Sequence, residues 1–208
     1  MEKKSVSLTY RLLRLLGLKY SEEAYGNVSF WGAIKKFFGN IRKKRLEMMM
    51  DWPILQPIAP RKVRAFLLRR IGCHVGKNVF IGEYVRVDIW HADMITLEDD
   101  VSIASGSRLL CHQRDFSNYC VGDNYLDLGY TIKPIILKKG CLIGMESFVM
   151  PGVTVGEGAI VGAGSLVTKD VPAWTVAAGR PARVIREIPQ REPVGGQILS
   201  REFAAAHR

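Results

Sequence analysis

The stretch Ser107–Phe116, SRLLCHQRDF, sets His112 directly after Cys111 and three residues before Asp115. Imidazole titrates near neutral pH, so His112 suits general acid–base chemistry, a solvated residue at a loop edge being the plain alternative. Such a base needs its other ring nitrogen held by an acceptor, which fixes the tautomer. Asp115 and a backbone carbonyl are the two candidates for that partner. Cys111 suggests a different chemistry, because a Cys–His pair can pass through an acyl-enzyme. On an extended strand, however, neighbouring side chains point to opposite sides, so Cys111 and His112 are not expected to meet. A second cluster lies in VDIWHADMI, residues 87–95, with Trp90, His91 and Asp93. A Trp face stacks well on a sugar ring, which makes these three candidates for holding an acceptor; interior packing of Trp90 is the alternative.

Both clusters interrupt a regular pattern. From Val75 onward the aliphatic residues recur every six positions: Val75, Ile81 and Val87; then Leu97, Ile103 and Leu109; then Leu137, Ile143, Val149, Val155, Val161 and Val167. This period fits neither an amphipathic helix nor an alternating strand. It is the hexapeptide repeat of a parallel β-helix, in which each hexad supplies one flat face and one corner and three hexads close a triangular coil. The aliphatic beat points into a narrow prism. The residue after it is often glycine (Gly76, Gly82, Gly144, Gly156, Gly162), expected to supply an unusual corner conformation. After Leu109 the series resumes only at Leu137, and the intervening polar segment cannot fill a prism. Residues 113–134 are therefore expected to protrude as a loop and to build a cleft on an otherwise flat wall.

The chain of 208 residues carries a net charge of +10, unevenly placed. Residues 1–70 hold 16 Lys/Arg against 5 Asp/Glu, and residues 71–208 hold 14 against 15. The basic third reads as helical, with Ile34, Phe37, Phe38 and Ile41 at helical spacing. Such a helix packs on the main domain or a neighbouring subunit, or lies on an anionic membrane surface. No run of apolar residues is long enough to span a bilayer, and the charged N-terminus does not read as a secretory signal. A cytoplasmic location follows, with peripheral contact at the inner membrane face left open to the basic region. Cys73, Cys111, Cys120 and Cys141 have no CxxC pairing and read as buried reduced thiols.

The repeat, together with IGMESFVMPGVTVGEGAIVGAGSLVTKDVPAWTVAAGRPARVIREI, resembles the hexapeptide-repeat acyltransferases over residues 71–188. Within them it looks most like sugar and polysaccharide O-acetyltransferases of the galactoside, maltose and colanic-acid type. The resemblance implies an all-β, left-handed parallel β-helix (71–188) carrying the protruding loop, with an α-helical N-terminal extension (1–70) and a C-terminal tail (189–208). It implies acetyl transfer from acetyl-CoA to a hydroxyl of a sugar or glycan precursor, with His112 as general base, no metal, and no nucleic-acid partner. Relatives usually follow this histidine directly with aspartate; here Gln113 intervenes, and Asp115 is the expected orienting residue. Met145 and Ala163 match positions that hold pantetheine in a groove between adjacent prisms, with Gly162 and Gly164 letting the cofactor approach the backbone. Lys169, Arg180 and Arg183 match the phosphate end, and Pro181 offers adenine an apolar surface. A homotrimer is implied, since the family's sites lie between prisms. Relatives often carry Trp where this chain has Leu142.

Three other readings compete. An amino-sugar N-acetyltransferase differs only in its acceptor. A noncatalytic scaffold would use the basic arm to hold nucleic acid or membrane. A β-helix carbonic anhydrase needs three metal histidines, and His74, His91 and His112 do not have its spacing.

Overall fold

The structure is a computed structural model that describes residues 7–15, 17, 26–27, 29–53 and 60–190. The segment 54–59, where Pro57 marks an expected irregular connector, and the tail from 191 lie outside the described residues. Among the described residues three helices come first: α1 (Leu8–Leu15), α2 (Phe30–Met49) and α3 (Pro60–Ile71). Ser29 caps α2, its hydroxyl accepting from the Gly32 amide. Pro60 opens α3, where its fixed φ suits a first turn and its missing N–H is not needed.

Short strands then stack into three parallel sheets. Sheet A joins β1 (His74–Val75), β4 (Ile95–Leu97), β9 (Ile135–Leu137) and β12 (Thr154–Val155). Sheet B joins β2 (Phe80–Ile81), β5 (Ser102–Ile103), β10 (Leu142–Ile143), β13 (Ile160–Val161) and β15 (Thr175–Gly179). Sheet C joins β3 (Arg86–Val87), β6 (Arg108–Leu109), β11 (Phe148–Val149) and β14 (Leu166–Val167). The chain visits A, B and C in turn and returns to A one coil on, which is a parallel β-helix. The sheet strands up to β14 are two or three residues long because one hexad makes one face. Every beat from Ile81 to Val167 is buried, and most are inaccessible to solvent. The residue four after the beat also points inward and is small. Where it is Ser107, Ser147 or Ser165, the hydroxyl donates to a glycine carbonyl, so burial leaves no polar group unpaired.

The corners correct one expectation. Gly76, Gly82, Gly144, Gly156 and Gly162 do not adopt positive φ. Glycine is needed after the beat because coils stack so closely: a Cβ on Gly144 would lie 2.5 Å from the Ala163 amide nitrogen. The left-handed conformation falls two residues later, at Asn78, Tyr84, Asp100, Gly106, Gly140, Glu146, Gly152, Gly158 and Gly164. Each is the third residue past a beat. The corresponding positions after Val87 and Leu109 are Trp90 and His112, and there the corner is replaced by something longer.

Helix α3 closes one end of the prism. Leu67, Leu68 and Ile71 join the core, and buried Arg64 donates to the carbonyls of Met50 and Ile81. Helix α2 packs against α3 and the turn Ile89–Met94, with Leu46 and Met49 against the core. At the other end β16 (Ala182–Glu187) pairs antiparallel with β15. No helix among the described residues is long and apolar enough to cross a membrane.

Candidate active site

Two long corners between sheets C and A, on consecutive coils, build the site. Val87 and Leu109 are neighbours in sheet C although 22 residues apart, against 18 between Val149 and Val167. The added residues of the first corner form the 3-10 turn Ile89–Met94. Asp88 caps that turn, one carboxylate oxygen accepting from the Trp90 amide at 3.2 Å. Its own amide donates to the Leu109 carbonyl at 3.0 Å, locking it to the second coil. Leu109 and Val149 are again sheet neighbours, 40 residues apart. This second corner leaves as the antiparallel pair β7 (His112–Arg114) and β8 (Tyr130–Ile132), with residues 115–127 exposed beyond it.

The Asp88 side chain is 0% exposed and meets both histidines. Its Oδ2 accepts from His91 Nδ1 at 3.0 Å and from His112 Nδ1. Burial opposes ionisation of Asp88, but the bonds from His112 and His91 outweigh it and hold its carboxyl below the usual carboxylate range. An ionised carboxylate can only accept, so each Nδ1 carries the proton. In the neutral rings both Nε2 lone pairs are then free and turned away from Asp88. The two rings lie 5.4 Å apart, and each remains partly open to solvent. Tyr130 packs edge-on against His112 at 5.6 Å. The Arg114 guanidinium covers the Tyr130 ring at 4.3 Å and donates to the Leu128 carbonyl, fixing the base of the hairpin.

Asp115 does not hold His112. Its amide donates to Gly129, and its carboxylate accepts from the Ser117 amide at 3.0 Å and hydroxyl at 2.6 Å, which keeps its pKa low. Asp88 takes the place expected for Asp115. A signal for it was present: Asp88 directly follows a beat and opens the first break, one coil before His112. Cys111 is fully buried, and desolvation pushes its thiol up to about 12, so it offers no thiolate. Cys73 and Cys141 are likewise buried, whereas Cys120 is exposed on the loop, against expectation. Ligand-type atoms of Asp88, His91 and His112 lie within 4.8 Å of one another. Both Nδ1 atoms are already engaged with the carboxylate.

The other candidates fall in two groups. Trp90 and Asp93 sit exposed on the same turn as His91, beside Asp88, and Lys169 lies on the same corner two coils beyond the loop. Met145 and Ala163 share the opposite corner, between sheets B and C, stacked on consecutive coils with Gly164 donating to the Met145 carbonyl at 2.7 Å. Arg180, Pro181 and Arg183 belong to the β15–β16 hairpin. The Arg180 guanidinium covers the Phe148 ring at 5.7 Å, and Arg108 covers it at 5.6 Å. Sheet C, with Arg108 and Phe148 facing outward, separates the two groups.

The family model for the bacterial transferase hexapeptide (six repeats) matches residues 134–169. A protein of Escherichia coli (strain K12) named as the colanic acid biosynthesis acetyltransferase WcaF is 36% identical over 137 residues, covering 60% of this chain and 74% of its own length. A solved galactoside acetyltransferase in complex with coenzyme A is 25% identical with a TM-score of 0.53, over 73% of this chain and 81% of that one. A maltose O-acetyltransferase from Clostridium difficile 630 has the same fold, with a TM-score of 0.56 over 71% of this chain and 85% of its own, at 24% identity. The six-residue beat, its stacked coils and these matches together make the chain a member of the hexapeptide-repeat acyltransferases.

Proposed function

We propose that the chain transfers an acetyl group from acetyl-CoA to a hydroxyl of a sugar or glycan precursor. The observation that carries the mechanism is the pair of imidazoles held by buried Asp88 at the two interrupted corners. His112 Nε2 takes the proton from the acceptor hydroxyl as its oxygen attacks the acetyl carbonyl. The C–S bond then breaks, and the imidazolium returns the proton to the coenzyme A thiolate. Asp88 orients the ring and stabilises the transient positive charge. Trp90, His91 and Asp93 flank the acceptor. Met145, Ala163, Lys169, Arg180, Pro181 and Arg183 hold acetyl-CoA, with the cations on its phosphates.

Met145 and Ala163 lie across sheet C from the histidine pair, with Arg180 over the outer face of that sheet and Lys169 on the histidine side, which supports a site completed by a neighbouring prism and hence a homotrimer. The working unit is a left-handed β-helix (71–188) with loop 113–134 as the acceptor wall, preceded by the basic helices (1–70) and followed by the tail (189–208). It works in the cytoplasm, with the basic helices toward the inner membrane face. An acceptor screen with acetyl-CoA, reading free thiol, tests the assignment. Release with hydroxyl sugars supports it; release with amino sugars alone assigns N-acetylation instead.

A further inference from the structure

Helix α2 has two outer stripes that the acetyl-transfer site does not use. Trp31, Lys35, Phe38, Arg42 and Arg45 recur at alternating steps of four and three, so they share one face. Phe30, Phe37, Lys44 and Met48 form the adjoining stripe. All are exposed, with Trp31 at 76% and Phe37 and Phe38 each at 62%. The helix carries six cations and one acid, and that acid, Glu47, is buried and paired with Lys44 at 2.6 Å. The outer face is thus aromatic and cationic with no negative charge. On α1, Leu8, Leu12 and Leu15 form another exposed apolar row, with Arg11 and Arg14 beside it.

We infer that this face of α2 docks on an anionic lipid surface. Trp and Phe beside Lys and Arg match the headgroup region of a bilayer, where rings enter the boundary and cations meet phosphates. A second copy of this chain fits less well. It brings the same positive face, and its residues 71–208, with 14 Lys/Arg against 15 Asp/Glu, carry a net charge of only −1. Lysine is also depleted from the cores of protein interfaces. The face is tied to the site: Lys43, on the same helix, donates to the Ile89 carbonyl at 3.1 Å, one residue from Asp88. Docking therefore holds the histidine pair close to the lipid surface. This deepens the membrane contact proposed above and stands apart from acetyl transfer, because binding is read without turnover.

The test is co-sedimentation of the full chain with phosphatidylglycerol–phosphatidylcholine vesicles and with phosphatidylcholine alone, at low and high salt. The expected result is binding to the anionic vesicles that falls with salt. Lys35→Gln with Arg42→Gln should weaken it about 25-fold, roughly fivefold for each cation lost. Trp31→Ser with Phe38→Ser should weaken it at both salt concentrations, with circular dichroism and melting temperature unchanged. Failure to bind the anionic vesicles, or equal binding by folded variants, overturns the inference. So does a drop in oligomeric mass of the Trp31→Ser, Phe38→Ser variant in light scattering, which assigns the face to a second copy.

Discussion

Asp88→Asn separates orientation from proton transfer. The side chain is fully buried and its amide replacement is nearly isosteric, so the turn and its cap should survive. What is lost is the negative charge facing two Nδ1–H groups. With the amide oxygen kept on the Trp90 cap, the introduced nitrogen takes the place of Oδ2, where it donates but cannot accept, and both rings must give up their Nδ1 protons and carry them on Nε2. That tautomer has no lone pair for the acceptor hydroxyl. A hydrogen bond to a charged group contributes about 1.5–3 kcal/mol. Losing it when the imidazolium forms corresponds to roughly 10- to 150-fold in rate. Thiol release under saturating acetyl-CoA should therefore show kcat down by about 100-fold, while KM for acetyl-CoA stays within about twofold because Met145 and Ala163 lie across sheet C. Asp115→Asn is the control and should stay within about threefold, since its carboxylate serves Ser117. An active Asp88→Asn beside an inactive Asp115→Asn would refute the reasoning and return the role to Asp115.

His112→Ala should lower turnover about 100-fold or more while leaving coenzyme A binding intact by calorimetry. Arg180→Ala combined with Arg183→Ala should raise KM for acetyl-CoA more than KM for the acceptor. Gly144→Ala, whose Cβ meets Ala163 nitrogen at 2.5 Å and Gly162 carbonyl carbon at 2.7 Å, should lower Tm by about 5 °C, as overpacking of about 2 kcal/mol does in a chain this size. The depressed pKa of Asp88 contributes stability above the unfolded carboxylate value of about 3.9, and that contribution is lost as pH falls through the lower folded value. Urea titrations from pH 6 downward should therefore show a shallower acid decline for Asp88→Asn than for the parent.

The six-residue beat specifies the core of the prism, because the interior admits only a compact aliphatic at each turn. The two breaks in that beat also mark the candidate site: Trp90 and His112 each occupy a slot that nine other corners fill with a left-handed residue. The partner of His112 was less legible. Local spacing favours Asp115, but the pairing of Val87 with Leu109 brings Asp88 in from the previous coil, and a lateral neighbour leaves no mark in linear distance. The glycines misled for a related reason. Their constraint is collision with the next coil, which is a property of stacking rather than of the residue's own backbone.

The second long corner has a consequence for how such an enzyme changes its substrate. The Lys133 amide donates to the Cys111 carbonyl, so the excursion of more than twenty residues closes on itself like a short bend. Leu97 and Leu137 pair as though nothing lay between them. Lengthening a closed loop adds only about 0.6 kcal/mol per doubling. The exposed stretch 115–127 is therefore thermodynamically detached from the prism and from the β7–β8 base that together hold His112, and one can be exchanged while the other is inherited unaltered. Selectivity and catalytic geometry can diverge at different rates along a single chain.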